Sequence, residues 1–219
     1  MLRVASEGAE GMVRQAVHPG LRRGALLSLL LAGVLSGCVT LSSTSKPATI
    51  YDLAPPAPAA FAALTSRSSA QLLLPLPTAS DALAGNRLAV RDGAGRLSYY
   101  PDVTWSDQLP GLVQSLLQRA FENSGAVKAV GKPGQSLAID DQVIVDIRSF
   151  GLEVGTGAVA HVELGVKLLD DRNGRIRATR VFDVRRPAAS DRSADVLAAL
   201  RGAADQAMTD IVGWTAGAL

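Results

Sequence analysis

The chain has 219 residues, 47% of them apolar and 19% charged, which is enough to bury the core of one ordinary domain and excludes disorder over its whole length. A single cysteine rules out an internal disulfide. The two histidines, His18 and His161, leave no Cys/His cluster with zinc-finger spacing, and aromatics at 4% are too few for a typical single-stranded nucleic-acid binder.

Arg22 and Arg23 precede an apolar run from Gly24 to Val34, followed by Leu35-Ser36-Gly37-Cys38. A basic stretch, a short apolar stretch and small residues are the order of an export signal, and the run is too short to cross a hydrocarbon core of about 30 Å as a helix. Met12 offers a second start that keeps Arg14, Arg22 and Arg23 and drops Glu7 and Glu10. The tetrapeptide resembles the bacterial lipobox. That resemblance implies cleavage between Gly37 and Cys38, a thioether-linked diacylglycerol on Cys38 and an N-acyl chain such as palmitate. The alternative is an ordinary secretory signal with a stray cysteine. Burial of acyl chain stabilises membrane attachment by about 0.8 kcal/mol per methylene, so several chains on one residue hold where one does not. Val39 and Thr40 follow with no aspartate, which looks like the sorting pattern for the outer membrane of diderm bacteria.

Residues 1–37 hold Arg3, Arg14, Arg22 and Arg23 against Glu7 and Glu10, so the formal +2 of the precursor resides in the signal. From Cys38 onward 18 basic residues face 18 acidic ones, and the neutral mature chain gives no support for binding nucleic acid or an acidic membrane by net field.

Leu41 to Thr49 is polar and small, a flexible tether. The division expected is therefore a signal over 1–37, a lipidated cysteine and tether over 38–49, and a domain over 50–219. Tyr51-Asp52-Leu53 suits a short strand, and Ala54 to Ala60, rich in Pro and Ala, a surface loop, because proline donates no ladder hydrogen bond. Leu72-Leu73-Leu74 predicts a buried strand closed by Pro75 and Pro77. Arg87 to Arg91 and Arg96 to Tyr100 predict a hairpin around the turn Asp92-Gly93-Ala94-Gly95. Leu109, Leu112, Val113, Leu116, Leu117, Ala120 and Phe121 recur at helical spacing, which predicts a helix over 105–124 with Asp107 as cap, Pro110 in the first turn and Gly125 as terminator. Val196, Leu197, Leu200, Ala204, Ala207, Ile211 and Trp214 predict a second helix over about 190–214.

Between the helices, residues 142–186 predict a three-stranded antiparallel meander. If Phe150, Leu152 and Val154 share a face with Ala160, Val162, Leu164, Val166 and Leu168, facing positions must sum to an even number, and Gly155-Thr156-Gly157 becomes a three-residue loop. The same parity for Ile176, Phe182 and Val184 makes Arg172-Asn173-Gly174 the second, each with glycine where a bulge turn takes the left-handed conformation. The fold class expected is α+β: a mixed, largely antiparallel sheet including this C-terminal meander, with two long amphipathic helices packed against it.

His161 shares the odd-numbered face with Glu163 and Lys167, opposite the apolar one, and reads as a solvated sheet residue, since no Ser or Cys nucleophile stands beside it. Asp170 to Gly174 lacks the alternating oxygen ligands and closing Glu of a calcium loop and reads as a turn. Gly151, Gly155 and Gly157 precede no helix, so they form neither a phosphate loop nor a dinucleotide fingerprint. Arg172, Arg175, Arg177, Arg180, Arg185 and Arg186 interleave with Asp170, Asp171 and Asp183, which favours a salt-laced face over a phosphate site. Tyr99, Tyr100 and Trp105 lie where the hairpin joins the first helix; either they anchor a partner interface or Trp105 staples the helix start onto the sheet. No catalytic residue, metal site or cofactor emerges, and the expectation is that the protein is not an enzyme.

Tyr51-x-Leu53, Arg87-Leu-Ala-Val-Arg91, Leu97-x-Tyr99-Tyr100, Trp105-x-Asp107-x-Leu109-Pro110-x-Leu112-Val113-Gln114 and Ala120-Phe121-Glu122-x-Ser124-Gly125, in this order before a closing helix, resemble the ABC-type transport auxiliary lipoprotein family, the PqiC-like lipoproteins. The resemblance spans nearly all of the mature chain, and the Tyr-Tyr to Leu-Pro block is its most specific part. It implies an α+β domain without catalytic residues and the lipid anchor at Cys38. It also implies an outer-membrane lipoprotein facing the periplasm, which docks an MCE-domain protein and, through it, an inner-membrane ABC permease and ATPase that move lipids between membranes. An envelope assembly or regulatory lipoprotein that activates a different periplasmic machine is the second reading. Assembly into a homo-oligomer is compatible with both.

Overall fold

The computed structural model describes residues 49–135 and 138–219. The signal region, the cleavage and lipidation site at Gly37 and Cys38, and the tether up to residue 48 lie outside those residues. Among the described residues nine strands join in one mixed sheet, and two long helices pack against it, which is the α+β class expected.

The spine is β7 (Asp141–Val154). Along one edge it pairs antiparallel with β8 (Ala158–Asp170), which in turn pairs antiparallel with β9 (Arg175–Pro187). Along its other edge it meets three short parallel strands in succession: β2 (Gln71–Leu73), β3 (Thr78–Ala79) and β4 (Arg87–Asp92). Beyond β2 lies β6 (Ala129–Gly131), and beyond β4 come β5 (Leu97–Trp105) and β1 (Thr49–Tyr51). The long ladders are antiparallel, and the parallel contacts are two to four residues each.

Parity sets the meander. Phe150 faces Val162, Leu152 faces Ala160 and Val154 faces Ala158, so the first loop is Gly155-Thr156-Gly157, as predicted. A bulge at Arg148 then reverses parity, which puts Val143, Val145 and Ile147 on the same buried face as Phe150 and Leu152. The second hairpin has the predicted register from Val162–Val184 to Leu168–Ala178. Near its turn it differs: Arg177 is inserted as a bulge, Asp170 faces Arg175, and the loop is Asp171 to Gly174. Ile176, expected on the apolar face, is consequently exposed. Gly174 has φ +70°, as its turn requires, whereas Gly157 stays outside the left-handed region.

The first long helix, α2, is Leu109–Ser124, and the second, α3, is Ser193–Ala218; a single turn, α1, spans Asp81–Ala84. The helix expected from residue 105 starts four residues later, because β5 runs on to Trp105, whose backbone N–H donates to the Asn86 carbonyl. Asp107 is not the cap. The N-cap is Gln108, and Asp107 Oδ1 accepts that residue's own N–H at 2.7 Å. Gly125 ends α2 in the left-handed conformation, φ +57°, as predicted. α3 lies across β7, β8 and β9 and touches α2, and the apolar faces of both helices close with the sheet into one core.

Candidate functional site

The aromatic trio does not form one surface. Trp105 is 2% exposed and meets Phe150 edge-on at 6.3 Å between ring centres, so it staples the sheet beneath α2 and presents nothing to a partner. Consecutive residues of a strand point to opposite faces, and Tyr99 and Tyr100 do so. Tyr99 stands opposite Ala89 with the Arg87 guanidinium 4.1 Å over its ring, and its hydroxyl donates to the Ala82 carbonyl of α1 at 3.2 Å. Tyr100 turns toward α3, where its hydroxyl donates to the Asp191 carbonyl at 2.5 Å. Burial, with the Asp191 carboxylate nearby, raises the Tyr100 hydroxyl above the ordinary tyrosine range and keeps it a donor.

Between the hairpin and the start of α3, Val90, Tyr100, Pro101, Leu152, Val154 and Val196 line a largely apolar groove of about 210 Å³. The strand β1 enters the domain beside this hairpin, parallel to β5 with Thr49 against Val103. Groove and chain entrance therefore share one side of the sheet's β4–β5 wing.

The opposite face of the meander is charged. His161 is on the odd-numbered face, as parity required, but it is not solvated: it is 3% exposed, beneath a lattice of acidic and basic side chains. Its Nε2 lies 3.0 Å from Asp183 Oδ1 across β9 and 3.9 Å from Glu163 Oε2. Its Nδ1 lies 2.7 Å from Glu153 Oε1 on β7, off the line that would make a hydrogen bond. Arg185 pairs with Asp183 at 2.7 Å and Glu153 at 3.4 Å, and Arg148 with Asp146 at 3.4 Å and Glu163 at 3.5 Å. Burial pushes the Glu153 carboxyl up, but the Arg185 hydrogen bond and the adjacent cationic groups outweigh it and leave it below the usual carboxylate range. Among the described residues His161, Glu163 and Asp183 are the group placed to hold a metal ion.

The arginine run of β9 is laced, as the interleaved aspartates suggested. Arg172 pairs with Asp140 at 2.6 Å, and Arg177 with Asp141 at 2.5 Å and Asp170 at 2.7 Å. Arg180 stacks on the Phe182 ring, and Arg186 donates to Gln206.

Residues 51–212 match the model of a family described as ABC-type transport auxiliary lipoprotein component. A protein of Bradyrhizobium diazoefficiens is 31% identical over 191 residues, which are 84% of this chain and 50% of that protein, so the chain spans about half the length of this curated relative. The crystal structure of a Xanthomonas campestris protein is 32% identical over 78% of this chain and 96% of its own, with a TM-score of 0.68. A further crystal structure, 15% identical over 76% of this chain and 97% of its own with a TM-score of 0.60, shares the fold.

Proposed function

The chain belongs to the ABC-type transport auxiliary lipoprotein family, and from that premise we propose that it is a non-catalytic, outer-membrane-anchored component of an intermembrane lipid transport system, docking an MCE-domain partner in the periplasm. The observation that carries the reading is that the family match covers residues 51–212, the folded domain almost entire, directly downstream of a lipobox-like cysteine at Cys38. Among the described residues no helix is long and apolar enough to cross a membrane. The apolar groove beside Tyr100 is the docking surface this reading favours, because an aromatic at the rim of an apolar groove is the usual anchor of an interface. The ATPase supplies the work at the inner membrane, and this domain supplies a tethered contact at the far end.

Two measurements test it. Metabolic labelling with palmitate is expected to mark the wild-type protein and not a Cys38→Ser variant; label retained by the variant would remove the anchor. A photocrosslinking residue at exposed Pro101, on the rim of the groove, is expected to capture an MCE-domain protein in cells. Capture of a peptidoglycan synthase with no MCE-domain protein would instead establish the envelope-assembly reading.

A further inference from the structure

The charged face of the meander is not used by the docking groove, and it holds a histidine too deeply buried for ordinary sheet surface. The His161 ring is 4% exposed, and its Nδ1 has no hydrogen bond although Glu153 Oε1 stands 2.7 Å away. Around it Asp146, Glu153, Glu163 and Asp183 meet Arg148 and Arg185, so with a neutral imidazole the cluster carries a surplus of two negative charges. One divalent cation cancels that surplus, whereas a proton on the ring cancels half of it.

We propose that His161, Glu163 and Asp183 form a binding site for a divalent transition-metal ion of the zinc class, with Glu153 as the carboxylate that orients the imidazole. A tetrahedral zinc ion at about 2.1 Å from its ligands sets them about 3.4 Å apart. The separations from His161 Nε2 to Asp183 Oδ1 and Glu163 Oε2, 3.0 and 3.9 Å, bracket that spacing, and the ligand atoms all lie within 4.8 Å of one another. Metal binding takes the neutral tautomer whose single ring proton is on Nδ1, beside Glu153 Oε1 at 2.7 Å, and whose Nε2 lone pair faces the metal. From the other tautomer the proton leaves Nε2 to solvent as one is taken up at Nδ1, so the ring stays neutral, and a realigned Glu153 carboxylate then accepts from Nδ1 as an outer-shell partner. Arg185 Nη1 donates to both oxygens of Asp183, at 2.7 Å to Oδ2 and 2.9 Å to Oδ1, so Oδ1 is shared between the guanidinium and the histidine side, and a metal ion there would take its second lone pair. The Glu163 and Asp183 side chains are 26% and 42% exposed, so the metal has access from solvent and water can complete its shell. An imidazole in the donor set selects zinc-like ions over magnesium or calcium. The ion would tie β8 to β9 directly, and β7 only through the outer-shell Glu153 near its C-terminal end.

The test uses the full mature chain in detergent, stripped with a chelator and titrated with zinc chloride by calorimetry and by equilibrium dialysis with metal analysis. Expected are saturable uptake near one zinc per chain, a melting temperature that rises with zinc, and no competition from magnesium at equal concentration. Glu163→Gln and Asp183→Asn, with circular dichroism confirming the fold, should each weaken binding at least about tenfold, and Glu153→Gln by about 10–100-fold as an outer-shell change. Uptake well below one zinc per chain overturns the proposal. So does uptake that the folded Glu163→Gln variant leaves unchanged, because the ion then sits elsewhere.

Discussion

A β-carbon added at Gly151 would overlap the Ala89 carbonyl oxygen, where β4 and β7 run parallel. That oxygen is backbone and cannot swing aside, so Gly151→Ala must push the two strands apart. A loss of about 1–3 kcal/mol is expected from overpacking, read from the midpoint of chemical denaturation; an unchanged midpoint would mean that β4 yields freely. Asp205 on α3 gives a prediction of opposite sign. Burial raises its carboxyl above the ordinary aspartate range, and the charges of Arg201 and Arg186 only partly offset this. Its proton-linked contribution is present at low pH and is lost as pH rises through the raised folded value, so near neutrality the folded state holds a carboxylate it disfavours. Asp205→Asn should therefore raise the melting temperature near neutral pH, and the advantage should vanish in acid below the ordinary aspartate range. Glu153 runs the other way. Its lowered carboxyl stabilises above the ordinary glutamate range and stops doing so as pH falls through the depressed folded value, so Glu153→Gln in metal-free buffer should cost stability near neutrality and nothing in strong acid. At this scale the sequence is a partial guide. Parity puts His161 on the right face, but its exposure depends on Glu153 and Asp183 from neighbouring strands closing over it, which no spacing along one strand reveals.

Among the elements, those governed by period or by turn chemistry are legible in the sequence, and those set by a partner's position are not. The apolar spacing of α2 and α3, the left-handed Gly125 and Gly174, and the even parity of the meander all follow from local geometry. The two- and three-residue strands β3 and β6 follow from nothing local, since they exist only because β7 and β2 pass beside them. Apolar spacing alone starts α2 too early, because Trp105 continues it while β5 still holds the backbone. Bulges are the sharpest case. Arg148 and Arg177 each reverse the face of every residue on one side of them, and neither residue announces this by type. Deleting Arg148 removes the bulge and leaves Ile147 opposite Leu164 and Val145 opposite Val166, so Val143, Val145 and Ile147 keep the buried face and folded, soluble protein is expected. Arg148→Ala removes only half-exposed ion pairs and should cost no more than about 1 kcal/mol. Loss of folded protein on deletion, beside a melting temperature of Arg148→Ala close to that of the unaltered chain, would show that the local bend of the bulge is itself required by the fold.

At the scale of the molecule, the decisive matter is whether folding depends on the membrane. Every residue of the described core lies between Leu53 and Ala216, and that core joins both helices to the full width of the sheet, from Leu72 and Leu74 to Phe182. The described residues from Thr49 to Leu219 belong to one compact unit. Burial of that apolar surface, at about 25 cal/mol per Å², is the main force holding such a domain together, and it does not involve an acyl chain on Cys38. Lipid attachment should therefore determine where the domain sits and leave its folding unaffected. A soluble fragment of residues 46–219 is expected to unfold in one cooperative transition. Its near-ultraviolet circular dichroism should report the fixed environments of Trp105 against Phe150 and Trp214 against Phe182. A fragment with full helical signal but no near-ultraviolet spectrum and strong dye binding would be a molten state, and would mean that the membrane or a partner completes the core. With a cooperative fragment in hand, crosslinking at the Tyr100 groove and zinc titration of the His161 face become independent measurements on opposite faces of one sheet, and a failure of either leaves the other standing.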